Sequence, residues 1–182
     1  MKKVLGLVLT GIMLASVLTA CGGNTGTTNE ETTKAQTETT AEAKEAAESG
    51  DIFSFTAKDI KMDLKQDAAA ILEALGEPKS YTESESCAFD GIDKEYVFSS
   101  FVITTYPDGD TDRINSITLM DDVYATDEGI TIGDSKEKVE EAYGADAFNG
   151  VNAYIITKGE STLNVILKDD KVSSILYTAD FE

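Results

Sequence analysis

The sequence predicts an α+β fold. It would be built from two tandem repeats of a short helix followed by a three- to four-stranded antiparallel meander, with the helices on one face of the sheet. Three observations predict it. Met62–Gly76 aligns with Ile130–Gly144 at an offset of 68 residues, and Glu73/Glu141, Ala74/Ala142 and Gly76/Gly144 are identical. Each copy carries helix start and stop signals. Each is followed by runs rich in β-formers that are separated by turn residues.

The chain opens on a targeting pattern. Lys2 and Lys3 form a basic start, and Val4 to Leu18 is an apolar run of the length of a signal-peptide h-region, too short for a good spanning helix. The run ends in Leu18-Thr19-Ala20-Cys21 with Gly22 behind it, which resembles the lipobox of bacterial lipoproteins. Residues 1–20 therefore read as a lipoprotein signal peptide and Cys21 as the lipidation site. Residues 21–50 interleave Thr with Glu and hold no apolar side chain larger than Ala after Cys21. Such a stretch cannot bury enough surface to offset its ordering entropy, so it reads as a disordered tether. With Cys21 lipidated, Cys87 has no disulfide partner. Its surroundings, Ser86-Cys87-Ala88-Phe89, predict a strand and a buried, inert thiol.

Repeat 1 is expected over residues 51–128 and repeat 2 over 129–182. In the first, Ile71, Leu72 and Leu75 give a narrow apolar helix face, Gly76 supplies the C-terminal stop, and Pro78 prevents continuation. Strands are predicted at Ser84–Phe89, Glu95–Phe98, Phe101–Tyr106 and Ile114–Met120. In the second, Asp134 and Glu137 have capping-box spacing with Ser135 as a competing cap, and Gly144 stops the helix. Strands follow at Asn152–Thr157, Thr162–Lys168 and Val172–Thr178.

Composition removes several chemistries. The 182 residues include 34 Asp+Glu, 15 Lys+Arg, no His, no Trp and two Cys, for a net charge of −19. Without His there is no Ser-His-Asp system and no imidazole ligand. Two cysteines cannot build a structural zinc site. The acidity argues against nucleic acid and against charge-driven adhesion to an anionic membrane.

Two short helices, each ending in Leu-Gly or Tyr-Gly and each followed by a meander, resemble the β-lactamase-inhibitor-protein-like fold. The matching residues are Ile130-Thr131-Ile132-Gly133-Asp134-Ser135 through Ala142-Tyr143-Gly144, with a degenerate copy at Met62–Gly76. The pattern is also similar to small lipoproteins of the outer-membrane assembly machinery. Thr104–Gly109 and Ile114–Asp122 look like lipoproteins of anaerobic Gram-positive gut bacteria. The resemblance implies the architecture and a place on the extracytoplasmic face of a Gram-positive cell membrane. It carries no inhibitory residues, because the inhibitors rely on disulfides that this chain cannot form.

Four candidate sites stand out. Asp108, Asp110 and Asp112 alternate in a turn and offer oxygen ligands for Ca²⁺, but Arg113 and Leu119 occupy the positions where an EF-hand needs Gly and Glu. A solvated hairpin turn explains the same residues. Carboxylate pairs such as Asp121/Asp122 and Asp169/Asp170 are what a wall hydrolase would use, yet 34 acids produce such pairs by chance. Ser135-Lys136-Glu137-Lys138 matches Ser-x-x-Lys by letters and is better explained as a helix cap.

The fourth candidate is a hairpin that is apolar on both sides. Tyr96 and Phe98 share one face, Val102, Thr104 and Tyr106 share one face of the next strand, and Phe101 and Ile103 point the other way. A second apolar sheet face is either a binding surface or is covered by a loop or by the other repeat. The expected function is a non-catalytic, membrane-anchored module binding a protein partner through that face. It needs no cofactor and no nucleic acid and touches the membrane only by its lipid. A small-ligand or Ca²⁺-linked sensor is the alternative, and a cell-wall hydrolase the second alternative.

Overall fold

Strand formation begins earlier than the apolar pattern suggests. The computed structural model describes residues 51–181. The signal peptide, Cys21 and the tether lie outside these described residues. At the start, β1 (Ser54–Ala57) and β2 (Ile60–Asp63) form a hairpin whose two turn residues, Lys58 and Asp59, both take positive φ. Two consecutive left-handed residues match the twist of the flanking strands. Helix α1 (Ala69–Leu75) follows and stops at Gly76, whose φ is +81° and whose N–H bonds to the Leu72 carbonyl.

The remaining strands are β3 (Ser80–Glu85), β4 (Ile92–Val97), β5 (Phe101–Asp108), β6 (Thr111–Leu119), β7 (Ala153–Thr157), β8 (Ser161–Lys168) and β9 (Lys171–Ala179). They form one antiparallel sheet in the order β3-β4-β5-β6-β9-β8-β7. Helix α2 (Lys136–Tyr143) precedes β7 and stops at Gly144, again at a positive φ of 83°. Ser135 is its N-cap, accepting from the Lys138 N–H. Asp134 instead accepts from the Thr131 N–H and pairs with Lys138 at 2.7 Å. Burial works to raise the Asp134 carboxyl, but these donors win and hold it below its ordinary value.

The predicted α+β architecture is corrected by this topology. The chain is mostly β, and its meanders are not two helix-plus-sheet repeats. β6 pairs with β9, so the strands of both halves merge into a single seven-stranded sheet over one core. The two helices, of seven and eight residues, do not layer on that sheet. α1 packs by β2, and α2 by β7 and the 3-10 turn Ala145–Ala147. Helices this short hold only through their neighbours. Each helix start is tied to the sheet: Ala68 N–H bonds to the carbonyl of Asp112 in β6, and Lys136 N–H to that of Asp170 in the β8–β9 turn.

Strand alternation separates the sheet's faces. One row of register partners runs Tyr81, Tyr96, Ile103, Ile117, Tyr177, Leu163 and Ile156 across all seven strands. Ile103, Ile117, Leu163, Ile175 and Val165 on this face are fully buried. The β1–β2 hairpin covers it: Phe55, Met62 and Leu64 join the same core, and Phe55 meets Phe101, Tyr124 and Tyr177 with ring centroids 5.5–6.0 Å apart. Burying an aliphatic side chain of this size contributes about 1.5–3 kcal/mol, so this face supplies most of the driving force for folding.

Candidate functional site

The opposite face has another composition. Its rows run Val97, Val102, Thr118, Leu176, Asn164, Ile155 and then Glu95, Thr104, Ser116, Thr178, Thr162, Thr157. On the central strands β5, β6, β9 and β8 these side chains are all half-buried, and none is charged. Val97, Val102 and Leu176 belong to no core packing. Thr104 Oγ1 and Ser116 Oγ are hydrogen-bonded at 2.7 Å across the strand pair. An uncharged field of hydroxyls and methyls, partly open to water, thus crosses a protein of net charge −19.

The five residues predicted for a binding face fall on different surfaces. Val102 and Thr104 lie on the open face. Tyr96 pairs with Ile103 and packs toward the core, its ring 5.0 Å from that of Tyr81. Burial of its phenol raises the pKa of Tyr96. Phe98 is 4% exposed and stacks on Phe101. Tyr106 is buried between Phe89 and Phe181, with centroids 4.7 and 4.8 Å away. Burial raises its phenol too. Tyr96 and Phe98 therefore belong to the core, Tyr106 packs with Phe89 and the exposed Phe181, and the open face on the central strands is aliphatic and hydroxylic.

The acidic turn does not converge on a point. Asp108 Oδ2 pairs with Arg113 Nε at 2.5 Å, and Asp112 Oδ2 with Lys94 Nζ at 2.6 Å. Asp110 and Asp112 line a cleft of about 420 Å³ with Asp67, Ala69, Leu72, Tyr96 and Thr111. Among the described residues, no three His, Cys, Asp or Glu side chains stand close enough together to hold a metal ion. Cys87 is exposed, which corrects the expectation of a buried thiol: β3 ends at Glu85, so the cysteine falls in a bend outside the sheet.

A second cleft, of about 260 Å³, opens where β3, β4, β5 and β6 run side by side. Its acids are Asp93 and Glu95, which alternate along β4 with Lys94 and Tyr96. Sequence reasoning missed them. Alternation in Asp93-Lys94-Glu95-Tyr96 gives the side each residue takes, but the cleft also needs the register irregularity at Thr104/Thr105, which leaves Asn115 unmatched on β6. No protein-family model, no curated protein and no solved structure matches the chain.

Proposed function

We propose that the chain is a lipid-anchored, non-catalytic binding module on the extracytoplasmic face of the membrane, and that the open face of its sheet docks a protein partner. The observation that supports it is the uncharged surface around Val102, Thr118 and Leu176, half-buried and outside the core packing. Interface centres are depleted of charge, and on β5, β6, β9 and β8 the two rows of this surface carry none. The net charge of −19 favours solubility and discrimination against acidic partners. Lipidation of Cys21 through the Leu18–Cys21 pattern supplies the anchor in this reading.

A photoreactive residue placed at Thr118 in cells tests the docking face, with one at Glu137 on α2 as the control. A discrete adduct from Thr118 alone, lost when Leu176→Lys is added to a folded variant, is the expected result. Adducts from both positions, or from neither, would sink the reading. Cys21→Ser should abolish incorporation of a labelled fatty acid, and persistent labelling would remove the anchor.

The calcium-linked alternative draws no support from the turn at Asp108–Asp112, because two of its three carboxylates already hold cationic side chains.

A further inference from the structure

The seven-stranded sheet ends differently on its two sides. At the β7 edge Phe148 pairs with Tyr154 and the Asn149 N–H bonds to the Ala153 carbonyl, so a crossing segment covers part of that strand. At the other edge every residue of β3 is exposed, and β4 is its one strand partner among the described residues. The strand holds neither Pro nor Lys, two of the devices that blunt exposed edges. Such an edge is a template for another strand.

Hydrogen-bond phase decides which groups the edge offers. The Ser86 N–H bonds to the Gly91 carbonyl, and alternation from that pair turns the backbone groups of Ser80, Thr82 and Ser84 toward β4. Those of Tyr81, Glu83 and Glu85 point outward and have no backbone partner among the described residues. In an antiparallel pairing of two copies, outward residues must oppose outward residues, which leaves few registers. Centred on Glu83, the pairing sets Glu83 against itself; centred on Ser84, it sets Glu83 against Glu85. Both oppose like charges, which destabilises a strand pair. Centred on Tyr81, it shortens the overlap and carries Glu85 past Pro78 to the level of Glu77.

The register centred on Thr82 has none of these faults. It sets Glu83 against Tyr81, whose hydroxyl already donates to the Glu83 of its own strand. It brings Glu85 level with Lys79, which is exposed and makes no ion pair among the described residues. On the other side of the sheet Thr82 meets Thr82 and Ser80 meets Ser84, hydroxyl pairs that stabilise neighbouring strands. We infer that β3 pairs with the β3 of a second copy about a two-fold axis at Thr82, perpendicular to the sheet. The two edge acids repel an unrelated acidic strand, yet here each meets a donor or a cation. The contact is one strand wide, short of the roughly 800 Å² per partner of a standard interface, so the dimer is weak and follows local concentration. With the axis perpendicular to the sheet, both open faces stay uncovered on the same side. The inference therefore neither rests on the docking face nor competes with it.

Cysteine scanning of the full chain in cells tests it, in a Cys87→Ser background whose own signal gives the contribution of Cys21. Opposed residues that are not hydrogen-bonded to each other stand about 4.5 Å apart at Cα, within disulfide reach. Under a mild oxidant, Thr82→Cys should give a disulfide-linked dimer. Ser80→Cys and Ser84→Cys, equally exposed, should give none alone, because each lies about 13 Å along the strand from its own copy. Co-produced on two differently tagged chains, they should cross-link to each other. Glu83→Pro removes an outward N–H that the fold does not use, so it should leave the domain folded and lower the Thr82→Cys product about tenfold. Should that variant fail to fold, Glu85→Lys carries the same direction, and Lys79→Glu added to it restores the dimer. Equal cross-linking at all three single positions, a Ser80–Ser84 combination that fails, or no dimer from Thr82→Cys would each overturn the pairing.

Discussion

Lys94 Nζ and Asp112 Oδ2 stand 2.6 Å apart, and the pair divides two clefts: Lys94 lines the one among β3–β6, Asp112 the one beside α1. The Asp112 hydrogen bond raises the Lys94 ammonium above its ordinary value, while burial works the other way. Both side chains are a quarter to a third exposed, 25% and 32%, so the gain is modest. A double-mutant cycle of Lys94→Ala and Asp112→Ala should return a coupling of about 0.5–1 kcal/mol. Because the folded pKa of Lys94 is raised, that contribution is complete below the unfolded lysine value and is lost as pH rises through the folded one. Urea melts of the cycle at neutral and strongly alkaline pH check both points, and coupling that grew with pH would contradict them.

Neighbouring residues on β5 should respond very differently to truncation. Ile103 is fully buried against the hairpin layer, whereas Val102 points to the open face. Ile103→Ala should cost about 2–5 kcal/mol, and Val102→Ala under about 1 kcal/mol. Denaturant midpoints of the two variants decide it. Comparable losses would mean that something covers the Val102 face.

Much of the sheet was legible in the sequence. The predicted Phe101–Tyr106, Asn152–Thr157, Thr162–Lys168 and Val172–Thr178 runs fall on β5, β7, β8 and β9 because alternation and turn residues are local signals. β1 and β2 were not legible, since each has only four residues and their turn is Lys58-Asp59 rather than a Gly-containing pair. Nor was the merging of the meanders, because the β6–β9 pairing joins residues about sixty positions apart and leaves no local trace. The predicted binding residues scattered for the same reason. Which face of a strand is covered depends on what folds over it, and here that is the hairpin that went unread.

The cap of α2 is a local feature that can be tested directly. Ser135 Oγ accepts from the Lys138 N–H at 3.4 Å, a long bond, and the helix has only eight residues. Ser135→Ala should destabilise by about 0.5–1 kcal/mol, toward the low end of measured caps. Asp134→Ala should cost more, since it removes the Lys138 pair and leaves the Thr131 N–H without its partner. Thermal melts rank the two, and a larger loss at Ser135 would reverse the assignment of roles.

Cys87 offers a test of where β3 ends. The thiol is exposed in the bend that follows Glu85. A thiol-specific reagent should modify it in native protein without denaturant and without lag, and Cys87→Ser should remove that fast phase. Labelling only after unfolding would return the cysteine to the sheet interior.

Alkaline pH should unfold the domain through its buried phenols. Tyr177 is 2% exposed, and the Tyr143 hydroxyl donates to Glu128 Oε2 at 2.6 Å and meets Thr126 Oγ1 at 2.7 Å. Burial, aided by the neighbouring carboxylates, drives both phenols far above the ordinary tyrosine value. The unfolded chain therefore releases these protons near pH 10 (roughly the free phenol value) while the folded chain keeps them. With the folded pKa raised, stability is intact below about pH 10 and falls as pH rises beyond it, by about 1.4 kcal/mol per pH unit for each phenol. Urea melts from about pH 9 to 11.5 should show that decline, and Tyr143→Phe should remove one phenol's share of the slope. The variant's lower stability at neutral pH, from the lost Glu128 bond, does not enter the comparison, because the slope is read and not the intercept. A slope unchanged by Tyr143→Phe would mean that its phenol ionises as freely in the folded protein as in the unfolded chain.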